Sequence, residues 1–239
     1  MAIYRVGEGY SSDMNAFDVS VLFLGTPVAA SRKMFVLDFV DGVIDFRGTD
    51  FRYGADGVPK AGVVEGYAIY NSEGARAISF GGFEGGVKQF VSAASTISTT
   101  DDAQLMTHLL SGKDRIYGDD LADRLVGFAD KDSLFGAGGA DVLIGGRGQD
   151  KFVYKAANES TAEEMDLIAD FRHGDRVVLS GLAEFEFIGQ ATFTGGAQVA
   201  YATQDGYAFV IADSDGDMET DLVIALEGIF TLTEADFML

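Results

Sequence analysis

The sequence predicts an all-β fold with few short helices, organised around an array of nine-residue repeats. Three observations lead there. Phe and Val alternate with polar residues in stretches such as "MFVLDFVDGVIDFRGTDFRY" (34–53), the period-two pattern of half-buried strands. The chain holds 31 Gly but only 2 Pro, and many of the glycines recur at regular intervals. In "GGADVLIGGRGQDKFVY" (138–154) two Asp stand nine apart, each followed two places later by an apolar residue. Nine fits neither the helical period of 3.6 nor the strand period of 2.

Residues 1 to about 98 are expected to be mostly strand, broken by Gly and Asp turns near 54–58 and 81–86. The glycine pairs of "GGFEGGVKQF" lack the Gly-Lys-Ser/Thr of a phosphate loop, so they too are expected to be turns between strands. "VSVLFLGTPVAAS" (19–31) is preceded by acids and lies deep for a leader, which favours a buried strand over a signal peptide. The opening "MAIYRVGEGYSSDMNAFD" has no basic region followed by an apolar stretch, so a Sec-type signal is not expected. "TTDDAQLMTHLLSG" (99–112) predicts a short helix. Thr100 suits its cap, Asp101 and Asp102 its positive end, and Gly112 its stop, while Leu105, Met106, Leu109 and Leu110 share one face.

Composition narrows the function classes. With 38 acidic against 17 basic residues the net charge is −21, which disfavours nucleic acid or an anionic membrane as the main partner. Hydrophobic content of 47%, with 19 Phe and 9 Tyr, argues against disorder. The chain has no Cys, which removes thiolate metal sites and cysteine nucleophiles and fits a life outside the cell without disulfides. No apolar run reaches the ~18 residues of a membrane span. A charge this large asks for something that neutralises part of it, and a bound divalent cation is the simplest candidate.

Written in nines from Gly118, the chain reads GDDLADRLV, GFADKDSLF, GAGGADVLI, GGRGQDKFV. Asp stands sixth (Asp123, Asp132, Asp141, Asp150) and an apolar residue eighth (Leu125, Leu134, Leu143, Phe152). The half-block SGKDRIY extends the register back through Asp114 and Ile116. The array resembles the glycine-rich RTX nonapeptide G-G-x-G-x-D-x-U-x, found in secreted calcium-binding proteins. The resemblance implies a parallel β-roll with two nonapeptides per turn. A six-residue loop turns the chain through positive-φ glycines, and a three-residue strand follows with its eighth position inward. Loops 18 residues apart then stack about one strand spacing, ~4.8 Å, apart. Asp114, Asp132 and Asp150 fall on one edge, Asp123 and Asp141 on the other. Stacked carboxylates repel unless a hard cation lies between them, with loop carbonyls completing an oxygen shell of the kind Ca²⁺ takes.

The resemblance further implies which residues hold the ions, at least two in number. One site takes Gly118, Asp120 and Asp123 with Ala137, Gly139 and Asp141. A second takes Gly127, Ala129 and Asp132 with Gly146, Gly148 and Asp150. A third would use Asp114 and Asp132, although Leu109 and Leu110 replace its leading glycines. Leu121 and Asp130 depart from Gly at the fourth loop position.

From Asp150 onward "DKFVYKAANESTAEEMDLIADFRHGDRVVLSGL" is similar to the segment that follows the repeats in the serralysin-type C-terminal module, so the resemblance covers roughly 112–239. The aromatic strand and the Phe171 turn are expected to close the open end of the roll, and Ser160 with Glu163 has capping-box spacing. "IADSDGDMETDLVIAL" (211–226) is similar to that module's D-x-D-G-D stretch. Asp213, Asp215, Asp217 and Asp221 are candidate ligands of another Ca²⁺, a solvated acidic turn being the alternative. "LTEADFML" is similar to the uncleaved signal read by type I secretion machinery.

Three regions follow: 1–111, mostly β, of unassigned role, ending in a short helix; 112–153, the calcium-binding roll; and 154–239, a cap with the export signal. The chain has no His-Glu-x-x-His, no Gly-x-Ser-x-Gly, and only His108 and His173, so no catalytic site is expected. The expected protein is a secreted, extracellular or cell-surface calcium binder that folds on meeting Ca²⁺ and contacts a matrix, polysaccharide or cell-surface ligand. The alternatives are a small secreted enzyme acting on polysaccharide through residues 1–100, and a metal-independent solenoid.

Overall fold

A computed structural model of the chain describes residues 1–10, 12–14, 25–39, 42–94, 99–228 and 231–239, with main chain only at 92, 94 and 99–101. The fold is all-β. The N-terminal region supplies β1 (Ile3–Val6), β2 (Thr26–Ala30), β3 (Met34–Phe39), β4 (Gly42–Tyr53), β5 (Pro59–Asn71) and β6 (Arg76–Gly86), then two helices, α1 (Val87–Ala94) and α2 (Thr99–Leu109). The repeats supply β7 (Arg115–Tyr117), β8 (Arg124–Val126), β9 (Ser133–Phe135), β10 (Val142–Ile144) and β11 (Lys151–Val153). After them come β12 (Asp166–Ile168), β13 (Arg176–Val178), β14 (Glu186–Gly189), β15 (Gln198–Gln204), β16 (Tyr207–Asp213), β17 (Leu222–Glu227) and β18 (Phe237–Met238).

The repeat strands alternate between two sheets. β7, β9, β11 and β13 pair in parallel in one, and β8, β10 and β12 in the other. Each pairing joins residues 18 apart within the repeats, such as Ile116 with Leu134 and Leu125 with Leu143. Every second residue of a strand faces the same side, so the eighth position of each block meets its counterpart from the other sheet inside the roll. Ile116, Leu125, Leu134, Leu143 and Phe152 are all at 0% exposure. Ile168 and Val177 continue the two rows past the last repeat, also fully enclosed.

Both ends of the roll are finished by chain from outside the repeats. β1 pairs in parallel with β7, placing Tyr4 beside Ile116, while Asp13 bridges to Arg124 on the other sheet. β1 and residues 12–14 thus form an extra rank, one on each sheet. On its far side β1 pairs antiparallel with β6, and the sheet runs on through β5, β4, β3 and β2. At the other end β17 pairs in parallel with β12 and β18 with β13. β17 then turns the sheet antiparallel through β16 and β15. The roll's edges are therefore covered, as an exposed parallel edge would otherwise invite pairing with other chains. Phe171 packs on Phe152 with ring centroids 6.2 Å apart, at the closing end as expected.

Several expectations are corrected. Residues 81–86 are not a turn: Gly81–Gly86 complete β6, with Gly82 at φ +78 where a Cβ would lie 2.7 Å from the Met1 carbonyl oxygen. The turn lies instead at Asn71–Ala75, held by the Asn71 side chain on the amides of Glu73 and Ala75. α1 follows directly and was not expected. Residues 19–24 lie outside the described residues. The rest of that segment is a strand but not a buried one, because β2 is the edge of its sheet and Val28 is 57% exposed. Ser160 caps no helix; it is buried, and its hydroxyl donates to the Val223 carbonyl and accepts the Asp166 amide. The helix over 99–112 is α2, with Leu105, Met106, Leu109 and Leu110 buried; the side chains of Thr100 and Asp101 lie outside the described set.

Leu134 sits mid-roll with neighbours on every side. Leu134→Ala is expected to lower unfolding free energy by about 2–5 kcal/mol, measured by denaturant titration in saturating Ca²⁺. A loss below about 1 kcal/mol would mean the interior collapses around the cavity.

Candidate metal centre

The sixth-position aspartates form two ladders, one along each edge. On one edge the amides of Asp114, Asp132 and Asp150 donate to Oδ1 of Asp132, Asp150 and Asp175 at 2.8, 2.9 and 3.0 Å. On the other, the amides of Asp123 and Asp141 donate to Oδ1 of Asp141 and Asp166 at 2.8 and 2.9 Å. Each ladder begins in the N-terminal rank: the Ala2 amide donates to Asp114 at 2.5 Å and the Ser12 amide to Asp123. The carboxylates stack because parallel pairing places each Asp directly over the next.

One oxygen of each carboxylate is thereby used. The other is left over: Oδ2 of Asp114, Asp132, Asp141, Asp150 and Asp166 is buried with no hydrogen-bond partner. Asp123 and Asp175 are the exceptions, their Oδ2 atoms accepting the amides of Asp119 and Arg172, each at 3.0 Å. A buried unpartnered carboxylate oxygen is costly. The leftover oxygens point into a cradle formed by the glycine that opens each loop. A Cβ on Gly136 would lie 2.1 Å from Oδ2 of Asp141, and on Gly127 or Gly145 2.6 Å from Oδ2 of Asp132 or Asp150.

Burial dominates the titration of these groups. It pushes Asp132 and Asp141 up to about 8, with neighbouring carboxylates adding to the rise. Asp166 is pushed up to about 7, and Asp123 and Asp150 to about 6. Asp114 and Asp175 are raised by the same desolvation. The folded chain without metal therefore takes up protons that the unfolded chain releases.

The loops that sequence reasoning paired are stacked. Gly118 donates to the Phe135 carbonyl at 2.8 Å, and a Cβ on Gly139 would lie 2.6 Å from the Leu121 carbonyl carbon. These contacts put Gly118, Asp120 and Asp123 against Ala137, Gly139 and Asp141. On the opposite edge Ala129 bridges to Arg147, and a Cβ on Gly146 would lie 2.3 Å from the Phe128 carbonyl oxygen. Gly127, Ala129 and Asp132 thus face Gly146, Gly148 and Asp150. The loop at 127–132 has no glycine at its left-handed positions, holding Phe128 at φ +68 and Asp130 at φ +75. Ala137 at φ +73 and Gly139 at φ +92 make the corresponding turn on the other edge. The first loop has no left-handed residue at Asp119 or Leu121, so its departure from the repeat pattern changes its geometry.

The donor set fits a hard divalent cation: unpartnered carboxylate oxygens, in pairs one rank apart, beside glycines whose missing Cβ leaves room. Ca²⁺, which takes six to eight oxygens in flexible geometry, suits such loops better than Mg²⁺.

Residues 126–239 match the family model described as the peptidase M10 serralysin C terminal. This stretch, just under half of the chain, is similar to the serralysin-type C-terminal module. Its roll is of the calcium-binding type. Among solved structures, the AlgE6R3 subunit of the Azotobacter vinelandii mannuronan C5-epimerase is similar, at 21% identity over 53% of this chain and 78% of that one, with a TM-score of 0.35. No curated protein matches the chain at a significant level.

The module holds a second acidic group. Carboxylate oxygens of Asp213, Asp215 and Asp221 lie within 4.8 Å of one another. Asp213 is buried and accepts the amides of Gly216 and Met218, while Asp221 accepts both the amide and hydroxyl of Ser214, which lowers its pKa. Asp217 does not join them; it is exposed and accepts the Glu219 amide.

Sequence reasoning missed Asp166 and Asp175, which extend the ladders beyond the last repeat. They stand 25 residues after Asp141 and Asp150, seven more than a full turn, because chain loops out before β12 and before β13. The available signal was the recurrence of D-x-I and D-x-V, an acid followed two places later by an inward apolar residue. His173 in the "FRHGD" turn approaches Asp236, Nδ1 to Oδ1 at 3.1 Å.

Two outcomes follow. In chelator, the folded fraction read by circular dichroism should fall as pH rises from about 4 through about 8, since raised carboxylate pKa values in the folded state make it the tighter proton binder. Saturating Ca²⁺ should remove that slope, because the metal favours the ionised form. Gly136→Ala should weaken Ca²⁺ binding at least tenfold by titration calorimetry, its methyl occupying the place of the Asp141 carboxylate oxygen.

Proposed function

We propose that the protein is a secreted calcium-binding protein whose roll folds when it meets Ca²⁺ outside the cell, and whose N-terminal sheet then makes contact with a matrix or surface. The observation that carries this reading is the set of buried Asp Oδ2 atoms left without partners along both edges. Without cation the ionised ladders repel and are desolvated, so the unfolded chain is favoured. With cation, each occupied site adds RT ln(1 + [Ca²⁺]/Kd) to folding, about 2.7 kcal/mol at a hundredfold excess over Kd. Extracellular calcium modules typically work at Kd of about 10⁻⁴–10⁻³ M, which suits a protein unfolded inside and folded outside.

The ions would be held by Asp123 with Asp141 and by Asp132 with Asp150, loop carbonyls supplying the remaining oxygens. Asp114 with Asp132 would supply a third site. Asp213, Asp215 and Asp221 form a separate candidate centre. Tyr154 lies buried beside Asp166, and its hydroxyl pKa is raised well above the ordinary value by that burial and by the neighbouring carboxylates. Bound charge at that edge would stabilise the arrangement. Export is assigned to the type I route through the segment around Phe237–Met238, which in the folded protein is β18.

Far-UV circular dichroism, in chelator and then through Ca²⁺ to ~10 mM, tests the folding step, with Mg²⁺ as control. A coil-to-β transition specific to Ca²⁺ is expected, and Asp132→Asn with Asp141→Asn should move its midpoint at least tenfold higher. An identical folded spectrum and melt in chelator, with no bound metal by elemental analysis, would overturn it. Removal of residues 230–239 should abolish export to the medium; undiminished export would sink the secretion assignment alone.

A further inference from the structure

The outer face of the larger sheet is unlike the rest of this acidic chain. In β1, β7, β9 and β11 the buried row is Tyr4, Ile116, Leu134 and Phe152, so the flanking positions of each strand face outward. Those positions are not fixed by the roll interior or by the aspartate ladders. One outward row runs Ile3, Arg115, Ser133, Lys151, in register across the four strands. The next runs Arg5, Tyr117, Phe135. Among the described residues, Arg5, Arg76, Arg115, Lys151 and Lys155 form no ion pair; Lys33, Arg52, Lys88 and Lys131 form none either, so what marks this face is that its cations are gathered in one place. Unpaired cations gathered on one face of a chain with net charge −21 call for an anionic partner.

The aromatic pair sharpens the chemistry. Tyr117 and Phe135 stack with centroids 4.5 Å apart and planes 8° from parallel. Arg5 covers the other face of the pair, 4.1 Å from the Tyr117 centroid, and Lys155 lies 4.3 Å from the Phe135 centroid. Tyr117, held between Arg5 and Phe135, offers solvent its edge, which carries the positive part of the ring quadrupole, and Lys155 lies beside the pair, 5.5 Å from the Tyr117 centroid. A cavity of about 280 Å³ opens here, lined by Arg5, Arg76, Tyr117, Phe135 and Lys155, with Glu8 and Glu159 at its rim. Arg5 and Arg76 also wall a second cleft of about 520 Å³, whose floor is Gly66, Ala68, Ser79 and Gly81 and whose far side holds Arg47 and Tyr70. The two share those arginines and so form one trough across seven strands, from β11 to β4. At ~4.8 Å per strand it is about 29 Å long.

We propose that this trough binds a linear carboxylate-bearing polysaccharide. The cations and ring edges meet the sugar carboxylates, and Glu8 and Glu159 of the first cavity and Glu65, which lines the second cleft, accept hydrogen bonds from its hydroxyls. A bare anion would gain nothing from those glutamates. A peptide cannot add to the sheet here, because β7, β9 and β11 are paired on both sides. Duplex nucleic acid, with one charge per ~1.7 Å, meets far more repulsion from the rest of this chain than a sparsely charged glycan does. The acidic edges are softened by screening over about 8 Å at physiological salt and by their own bound cations. The inference supplies a ligand class for the surface contact proposed above and rests on that reading for the folded, calcium-loaded state.

The test is fluorescence anisotropy with a labelled galacturonic acid hexamer and the full chain in 10 mM Ca²⁺. A glucose hexamer and a hexaglutamate peptide serve as competitors, with circular dichroism on every sample. Binding that weakens at higher salt is expected, with competition by unlabelled galacturonate hexamer only. Arg76→Glu with Lys155→Glu should weaken it at least tenfold while leaving the calcium-dependent spectrum unchanged; Tyr117→Leu should weaken it less. Equal binding by the double variant, equal competition by glucose hexamer or hexaglutamate, or no binding by a chain that has folded with Ca²⁺ would overturn it. A chain whose spectrum ignores Ca²⁺ yet binds through Arg76 and Lys155 would instead overturn the calcium reading and leave this one standing.

Discussion

Everything in the molecule is arranged around a row of carboxylates that cannot be both ionised and content. Each ladder aspartate has its Oδ1 fixed by the amide one rank earlier, at 2.8 to 3.0 Å within the repeats and just after them. That bond sets the rank spacing and orients the side chain, so the second oxygen of Asp132, Asp141 and Asp150 turns without a partner toward the glycine that opens its loop. Protonation or a cation resolves the conflict. Burial and the neighbouring carboxylates push Asp132 and Asp141 up to about 8, so proton uptake is the route open to the metal-free fold. The apolar interior of Leu125, Leu134, Leu143 and Phe152 holds the ranks in register, but each rank is three residues wide per sheet and buries little area. The electrostatic conflict is thus large relative to the packing that opposes it, which makes the roll a natural switch.

Much of this was legible in the sequence because it is periodic. The inward row follows from the eighth positions, and the two-edged assignment of Asp114, Asp123, Asp132, Asp141 and Asp150 follows from two strands per turn. Legibility failed where the period failed. Asp166 and Asp175 do the same work as the repeat aspartates but sit 25 residues on, with irregular chain between. Ala2 and Ser12 were invisible for a deeper reason: they enter the ladders through backbone N–H groups, which every residue but proline has. α1 was hidden by the glycine pair before Val87, which reads locally as a turn although β6 runs straight through it. The burial of β2 was misjudged because apolar composition says nothing about whether a strand lies inside a sheet or at its edge.

The outward rows illustrate a separation of duties within one short strand. The middle residue is spent on the interior and the preceding aspartate on the edge. The remaining positions are structurally unclaimed, and in β7 and β9 they carry Arg115, Tyr117 and Phe135. A surface can thus be varied without disturbing either the core or the ladders. Because β1 joins the same sheet through Arg5, the N-terminal strands extend that surface rather than forming a separate one.

The two end ranks impose a parity on the array. β1 and residues 12–14 meet β7 and β8 respectively, and β17 and β18 meet β12 and β13, so each terminal segment is matched to one sheet and one edge. Adding or removing eighteen residues would lengthen or shorten the roll and return the same faces to both ends. A change of nine would exchange the sheets at one end, presenting β17 and β18 each to the wrong partner and the ladders to the wrong caps. Growth and loss by evolution or by engineering are therefore confined to whole turns, even though the unit written in the sequence is half of one.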